Sequence, residues 1–214
     1  MESDSVSNTE EFNDLGLPSE TTKLFVEKPN GWRYKLFVQL LNQQISQSSY
    51  LRNELSNTND SEFVDNVKYN EFPQWLSSRW NELMKYINLV MKYINDDFQD
   101  AIRQLDQEGN CEPIKLLAFE IGKNYRNVIK LTLKIKRTHV DELFTPVIPA
   151  FFDFTNKFLT NIETLGPNLA KLLKEADASD NESLQVYVHE FELVDSYAVT
   201  KFAKELEKIN AGIR

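Results

Sequence analysis

Apolar residues recur through the middle of the chain at alternating steps of four and three: Leu76, Trp80, Leu83, Ile87, Val90 and Ile94. Such spacing averages close to the 3.6-residue period of an α-helix, so these side chains form one stripe along a helix face. After one additional step of four the stripe continues through Phe98, Ala101 and Leu105. The pentapeptide MKYIN occurs twice within it, beginning at Met84 and again at Met91. A copy displaced by seven residues returns each side chain to nearly the same face, with about 20° of drift. Ile87 and Ile94 therefore fall on the stripe and Met84 and Met91 beside it, while Lys85, Asn88, Lys92 and Asn95 turn toward water. Pro73 suits a first helical turn. The pattern predicts one helix from about Pro73 to Gln107, roughly 50 Å long at 1.5 Å per residue.

Similar patterns lie on both sides. Lys28-Pro29-Asn30-Gly31 is turn chemistry, and Trp32, Phe37, Leu40, Leu41, Gln44 and Ile45 follow at helical spacing. QSSYLRNELSNTNDSE, rich in Ser, Asn and Asp, predicts a loop after Ile45, and Glu62–Tyr69 reads as a short extended piece. Glu108-Gly109-Asn110 predicts a helix end and Pro113 a new start, from which Ile114, Ala118, Ile121, Tyr125, Val128, Thr132 and Ile135 keep helical spacing. Within it, VIKLTLKIK also alternates strictly, as a strand would. No turn residue separates it from the helical stretch before, which favours helix.

Thr145-Pro146 and Pro149 mark another helix start. Val147, Phe151, Phe154, Phe158, Ile162 and Leu165 make one stripe there, and Ile148, Phe152 and Leu159 a second beside it. Gly166-Pro167 predicts a break, NLAKLLKEA a brief resumption, ADASDNES a loop, SLQVYVHEFELV an extended segment and SYAVTKFAKELEKI a closing helix. The expected fold is mostly all-α: an antiparallel bundle of four to five main helices with a small two-stranded β appendage. The strand over residues 184–194 would pair with Glu62–Tyr69 or with another copy of the chain, because a lone strand does not stand unpaired. Residues 1–22, acidic and poor in aliphatics, are expected to be a disordered tail, and residues 23–214 one helical-bundle domain.

Composition narrows the function classes. With 214 residues, 41% hydrophobic and Phe at 14 positions, the chain can bury a substantial core, and six Gly and seven Pro are too few for a turn-dense β-sandwich. A net charge of −9 opposes binding to nucleic acid or anionic lipid. The one cysteine, Cys111, cannot form an internal disulfide or a thiolate zinc site by itself. The N-terminal stretch has no apolar core of a signal peptide, and the densest apolar run, FTPVIPAFFDF, is interrupted by two prolines and Asp153. A cytoplasmic location is the expectation.

No Gly-rich phosphate loop, HExxH, EF-hand loop or GxSxG is present, so no cofactor, metal ligand or catalytic residue is predicted and the balance leans away from an enzyme. His139, beside Asp141 and Glu142, reads as a histidine at a helix end more readily than as an acid–base pair. His189 has no second His or Cys near it, and Cys111, although at a helix start, has no identifiable base. Two surfaces stand out instead. Lys123, Arg126, Lys130, Lys134 and Arg137 share one helix face, either as a docking surface or as a solvated face paired with Asp96, Asp97, Asp100 and Asp106 of the preceding helix. Ile148, Phe152 and Leu159 make the Phe-rich helix either the central helix of the bundle or the carrier of an apolar partner face.

The leading expectation is a non-catalytic protein-interaction or regulatory module of a cytosolic assembly, working through a protein partner or self-association. A membrane-active or toxin-like effector that releases its Phe-rich helix is the alternative, with membrane contact only on activation. An enzyme with a non-motif site comes third, and a nucleic-acid ligand is not expected.

Overall fold

The computed structural model describes residues 17, 19–29, 31–58, 63–141, 146–175 and 194–212. They are mostly helical, in the order α1 (Ser19–Glu27), α2 (Trp32–Ser46), α3 (Ser49–Asn57), β1 (Asp65–Val67), α4 (Phe72–Lys92), a π turn (Tyr93–Asp97), α5 (Phe98–Glu108), α6 (Glu112–Lys136), β2 (Thr138–Val140), α7 (Val147–Glu175) and α8 (Ser196–Asn210). The two strands pair in parallel, with Asp65 opposite Thr138 and Val67 opposite Val140. The small sheet thus joins the segment around Glu62–Tyr69 to the end of α6. Residues 176–193, which hold ADASDNES, His189 and nearly all of the extended reading of 184–194, lie outside the described residues, as do residues 1–16.

The central helix is α6, which packs against α2, α3, α4, α5 and α7. This explains the two-way pattern of VIKLTLKIK. Val128, Ile129, Leu131, Thr132, Leu133 and Ile135 are all buried, and only Lys130 and Lys134 of that run are exposed. A helix covered on almost every side loses its one-sided stripe, and the residues that remain polar happen to alternate. The Phe-rich α7, for which the central position is one of two expectations, takes a flank and packs on α2, α6 and α8. Phe151, Phe154, Phe158, Ile162 and Leu165 face inward, but Asp153, Asn156, Lys157 and Thr160 keep its other side in water.

All nine residues of the long stripe from Leu76 to Leu105 are buried. Where two steps of four follow one another, at Val90, Ile94 and Phe98, the helix passes through the π turn. Its wider i→i+5 winding takes up the extra residue and keeps Phe98 on the core side. Lys85, Asn88 and Lys92 are exposed as expected, but Asn95, inside the π turn, is half-buried. Gly109, at φ 66°, ends α5 in the left-handed conformation that glycine adopts without strain. At the other end of the chain, the Asp195 carboxylate caps α8 by accepting from the N–H groups of Tyr197 at 3.0 Å and Ala198 at 3.2 Å. The Phe202 ring of α8 then stacks on Trp80 at 4.5 Å.

Three local expectations are corrected. In the stretch read as a loop after Ile45, the chain breaks at Gln47-Ser48 and Ser49–Asn57 then forms α3. Leu51 and Leu55 are four apart and turn one face to the core, while Ser56 and Thr58 hydroxyls donate to the carbonyls of Arg52 and Glu54. Gly166-Pro167 does not break α7, which runs through it. A proline forgoes one backbone bond, but Gly166 is buried where α7 crosses α2, and a Cβ there would lie 2.7 Å from Val38 Cγ1. Residues 19–22, expected in the tail, are helical. Helix α1 starts at Ser19, with Thr21, Thr22 and Phe25 buried, and the Thr21 hydroxyl donates to Gln39 Oε1 at 3.2 Å. The boundary after Thr22 therefore cuts through a helix whose apolar content, Leu24, Phe25 and Val26, lies in its second half.

Candidate interaction groove

The last two turns of α6, the face of α3 and the chain leading into β1 enclose a groove of about 330 Å³. Leu51 and Glu54 come from α3, Val64 and Asp65 from the β1 side, and Lys130, Leu133, Lys134 and Arg137 from α6 and its cap. Its walls are tied together at one point. The Arg137 guanidinium donates to the Glu54 carboxylate, and the Arg137 carbonyl accepts from the N–H groups of Val64 at 2.9 Å and Asp65 at 3.3 Å. On the neighbouring side of the helix, Lys136 Nζ donates to the Leu55 carbonyl at 2.8 Å and lies 5.7 Å from the centre of the Phe152 ring. One helix end thus anchors both α3 and β1.

A second tie holds α3 from beneath. Glu163 Oε1 accepts from the Tyr125 hydroxyl at 2.6 Å and from Arg52 Nε at 2.7 Å, and a further Arg52 nitrogen donates to Asn156 Oδ1 at 3.2 Å. Burial pushes the Tyr125 hydroxyl well above its ordinary pKa, and the Glu163 carboxylate adds to that shift. This node joins α3, α6 and α7. Sequence reading had no access to it, because its members lie far apart and Arg52 sat in the stretch read as a loop.

The predicted basic stripe divides into two parts. Lys123 pairs with Glu120 of its own helix at 3.3 Å, and Arg126 donates to the carbonyl and side-chain oxygens of Gln44 on α2, each at 3.5 Å. Lys130, Lys134 and Arg137 face the groove. Arg137 is engaged by Glu54, whereas Lys130 and Lys134 are exposed and their ammonium groups have no hydrogen bond or ion pair among the described residues. The acids of the preceding helix do not serve the stripe. Asp97 pairs with Lys92, Asp100 with Arg103 and Asp106 with Arg33. The face of α5 that meets α6 is apolar, with Phe98, Ala101, Ile102 and Leu105 buried, so its carboxylates turn outward.

The groove floor is apolar. Leu133 is buried, Leu51 is half-buried, and Val64 on the rim is 77% exposed. Beside Val64 the exposed Phe63 ring lies 5.1 Å from the imidazole of His139. His139 is therefore part of β2, beyond the end of α6, and not at a helix terminus. Of the other candidate apolar face, Leu159 is fully buried, and Ile148 and Phe152 are half-buried against the core. Cys111 is also buried, and burial followed by the Glu112 charge pushes its thiol pKa up, opposite to what an activated nucleophile needs.

Among the described residues no group of three or more His, Cys, Asp or Glu side chains is placed to hold a metal ion, and no helix is long and apolar enough to cross a membrane. No family model matches this chain, and neither a curated protein nor a solved structure resembles it.

Proposed function

We propose that the chain is a non-catalytic protein-interaction module of a cytosolic assembly, and that it receives an acidic segment of a protein partner in the groove between α3, β1 and α6. The observation that carries this reading is the pair Lys130 and Lys134: two exposed ammonium groups without an ionic partner among the described residues, set over an apolar floor. In open water each charge is well solvated and contributes little. A ligand that covers the floor removes water from around them, and charge-assisted bonds to carboxylates strengthen accordingly. The net charge of −9 opposes an acidic ligand elsewhere on the chain and confines such a contact to this spot. An acidic segment is repelled by most of the surface and attracted at this one, which fixes register more than it adds raw affinity. The membrane-active alternative requires release of α7, whose Phe151, Phe154 and Phe158 are core residues.

The test is affinity purification from the native cell of the tagged chain and of a Lys130→Glu/Lys134→Glu variant. The expected result is that partners recovered with the wild type are lost from the variant while its far-UV circular dichroism is unchanged. Wild-type recovery should also fall steeply between low and physiological salt, since exposed charges are screened over about 8–10 Å. The same partners in the same amounts from both proteins would refute the reading.

A further inference from the structure

A second groove, of about 380 Å³, lies between the first two turns of α6 and the last turns of α2. Leu40 and Ala118 form its buried floor, while Leu116 and Phe119 on its α6 side are 60% and 45% exposed. These two are three positions apart and share one helix face. Phe119 lies about 16 Å before Lys130 along α6, and the two grooves have no lining residue in common. Leu17 also lines this second groove, half-buried against the core.

The residues just before Leu17 suit this surface. Phe12, Leu15 and Leu17 fall within six positions, in a stretch otherwise rich in Ser, Asn, Asp and Glu. We propose that residues 12–16 fold back from Leu17 over the groove and set Leu15 and Phe12 on Leu116 and Phe119. The reach is sufficient. At no more than about 3.6 Å per residue, Leu15 lies within about 7 Å of Leu17 and Phe12 within about 18 Å. Gly16 between them reverses the chain without strain. Tethering decides the occupant. Leu17 already holds one end of the segment at the groove, so the remaining loop is short, costs little entropy to close, and keeps its local concentration at about millimolar. A second copy or a separate partner meets the same two side chains only at its own concentration and loses translational freedom on binding. A seat of so few apolar contacts opens readily, so the segment acts as a releasable cover of Leu116 and Phe119 and not as part of the core.

The test is hydrogen–deuterium exchange of the full chain, read by mass spectrometry over residues 10–17. Wild type is compared with Leu116→Ser/Phe119→Ser and with Phe12→Ser/Leu15→Ser. The amides of residues 12–16 should exchange about tenfold or more slowly than their sequence sets for an open chain, and each pair of substitutions should restore the open rate. Unchanged slow exchange in α4 and in the second half of α6 verifies that a variant keeps its fold. If Leu116→Ser/Phe119→Ser does not fold, the pair at Phe12 and Leu15 carries the test. Open-chain rates in the wild type would overturn the proposal. Protection that survives either pair would place the segment elsewhere and overturn it too. Protection that rises with protein concentration would assign the groove to the segment of a second copy and overturn the intramolecular seat.

Discussion

Gly122 of α6 lies so close under Gln44 of α2 that a Cβ at Gly122 would overlap the Gln44 Cβ and stand 3.2 Å from its Cγ. The two helices meet almost backbone to backbone here, and one turn further Arg126 reaches the Gln44 carbonyl. Gly122→Ala should therefore lower stability by about 1–3 kcal/mol through overpacking. Helix propensity alone would give a gain of about 1 kcal/mol, so the sign decides. A denaturant midpoint that rises at unchanged slope would refute the close approach.

The long stripe makes a contrasting pair of predictions. Ile87 is fully buried, and Lys92 is exposed with a surface pairing to Asp97 at 3.3 Å. Ile87→Ala should cost about 2–5 kcal/mol. Lys92→Ala should cost no more than about 1 kcal/mol, because a solvated ion pair contributes little. Similar losses at both sites in urea unfolding would contradict the orientation of α4.

The helices with a single buried face were readable from spacing: α4 with α5, the stripe of α7, and α8 all follow from apolar periodicity. Tertiary context decided what periodicity could not. VIKLTLKIK is buried nearly all round, so its pattern fits two periods, and Gly166-Pro167 looks like a break until Val38 stands against it. Helix α3 was hidden by its Ser and Asn content, although these side chains bond to carbonyls one turn back. For the groove, Lys130, Lys134 and Arg137 could be named in advance from one helix face. Glu54, Val64 and Asp65 could not, because they reach it only through long-range packing.

The node under α3 gives a third prediction. Tyr125→Phe removes the hydroxyl that donates to Glu163 at 2.6 Å and should cost about 1.5–3 kcal/mol, as for a hydrogen bond to a charged group. The loss should shrink sharply in a Glu163→Ala background, which leaves the Tyr125 hydroxyl without this acceptor, since the two changes remove one interaction. Additive losses in that double-mutant cycle would show that the contact contributes nothing.

A fourth concerns alkaline pH. Tyr34 is 1% exposed, its hydroxyl has no hydrogen-bond partner among the described residues, and burial, opposed by the nearby Arg33 charge, pushes its pKa from 10.0 up to about 12. Unfolded chains release this proton near pH 10 and folded chains hold it until about pH 12. Across that window the unfolded state binds fewer protons, so stability falls as pH rises, while below it the pKa difference is without effect on the slope. Tyr34→Phe should gain about 1 kcal/mol at neutral pH by removing an unsatisfied hydroxyl. It should also flatten the alkaline limb of the stability curve, leaving the parts due to Tyr125, Tyr86 and Cys111. An unchanged slope between pH 10 and 12 would refute the assignment.

The pairing of Asp65 with Thr138 brings together residues 73 apart in sequence. Everything enclosed by that closure, from α4 through α6, consists of helices that meet their sequence neighbours. Such local contacts form first, and a three-residue ladder cannot by itself offset the entropy of closing so large a loop. The clip is therefore expected to close after the helices it joins and to reopen with those helices intact. Reopening detaches Val64 and Asp65 from the Arg137 carbonyl and removes one wall of the groove. Availability of the site thus follows a local unfolding equilibrium much shallower than that of the whole chain, readable as fast amide exchange in β1 beside slow exchange in α6.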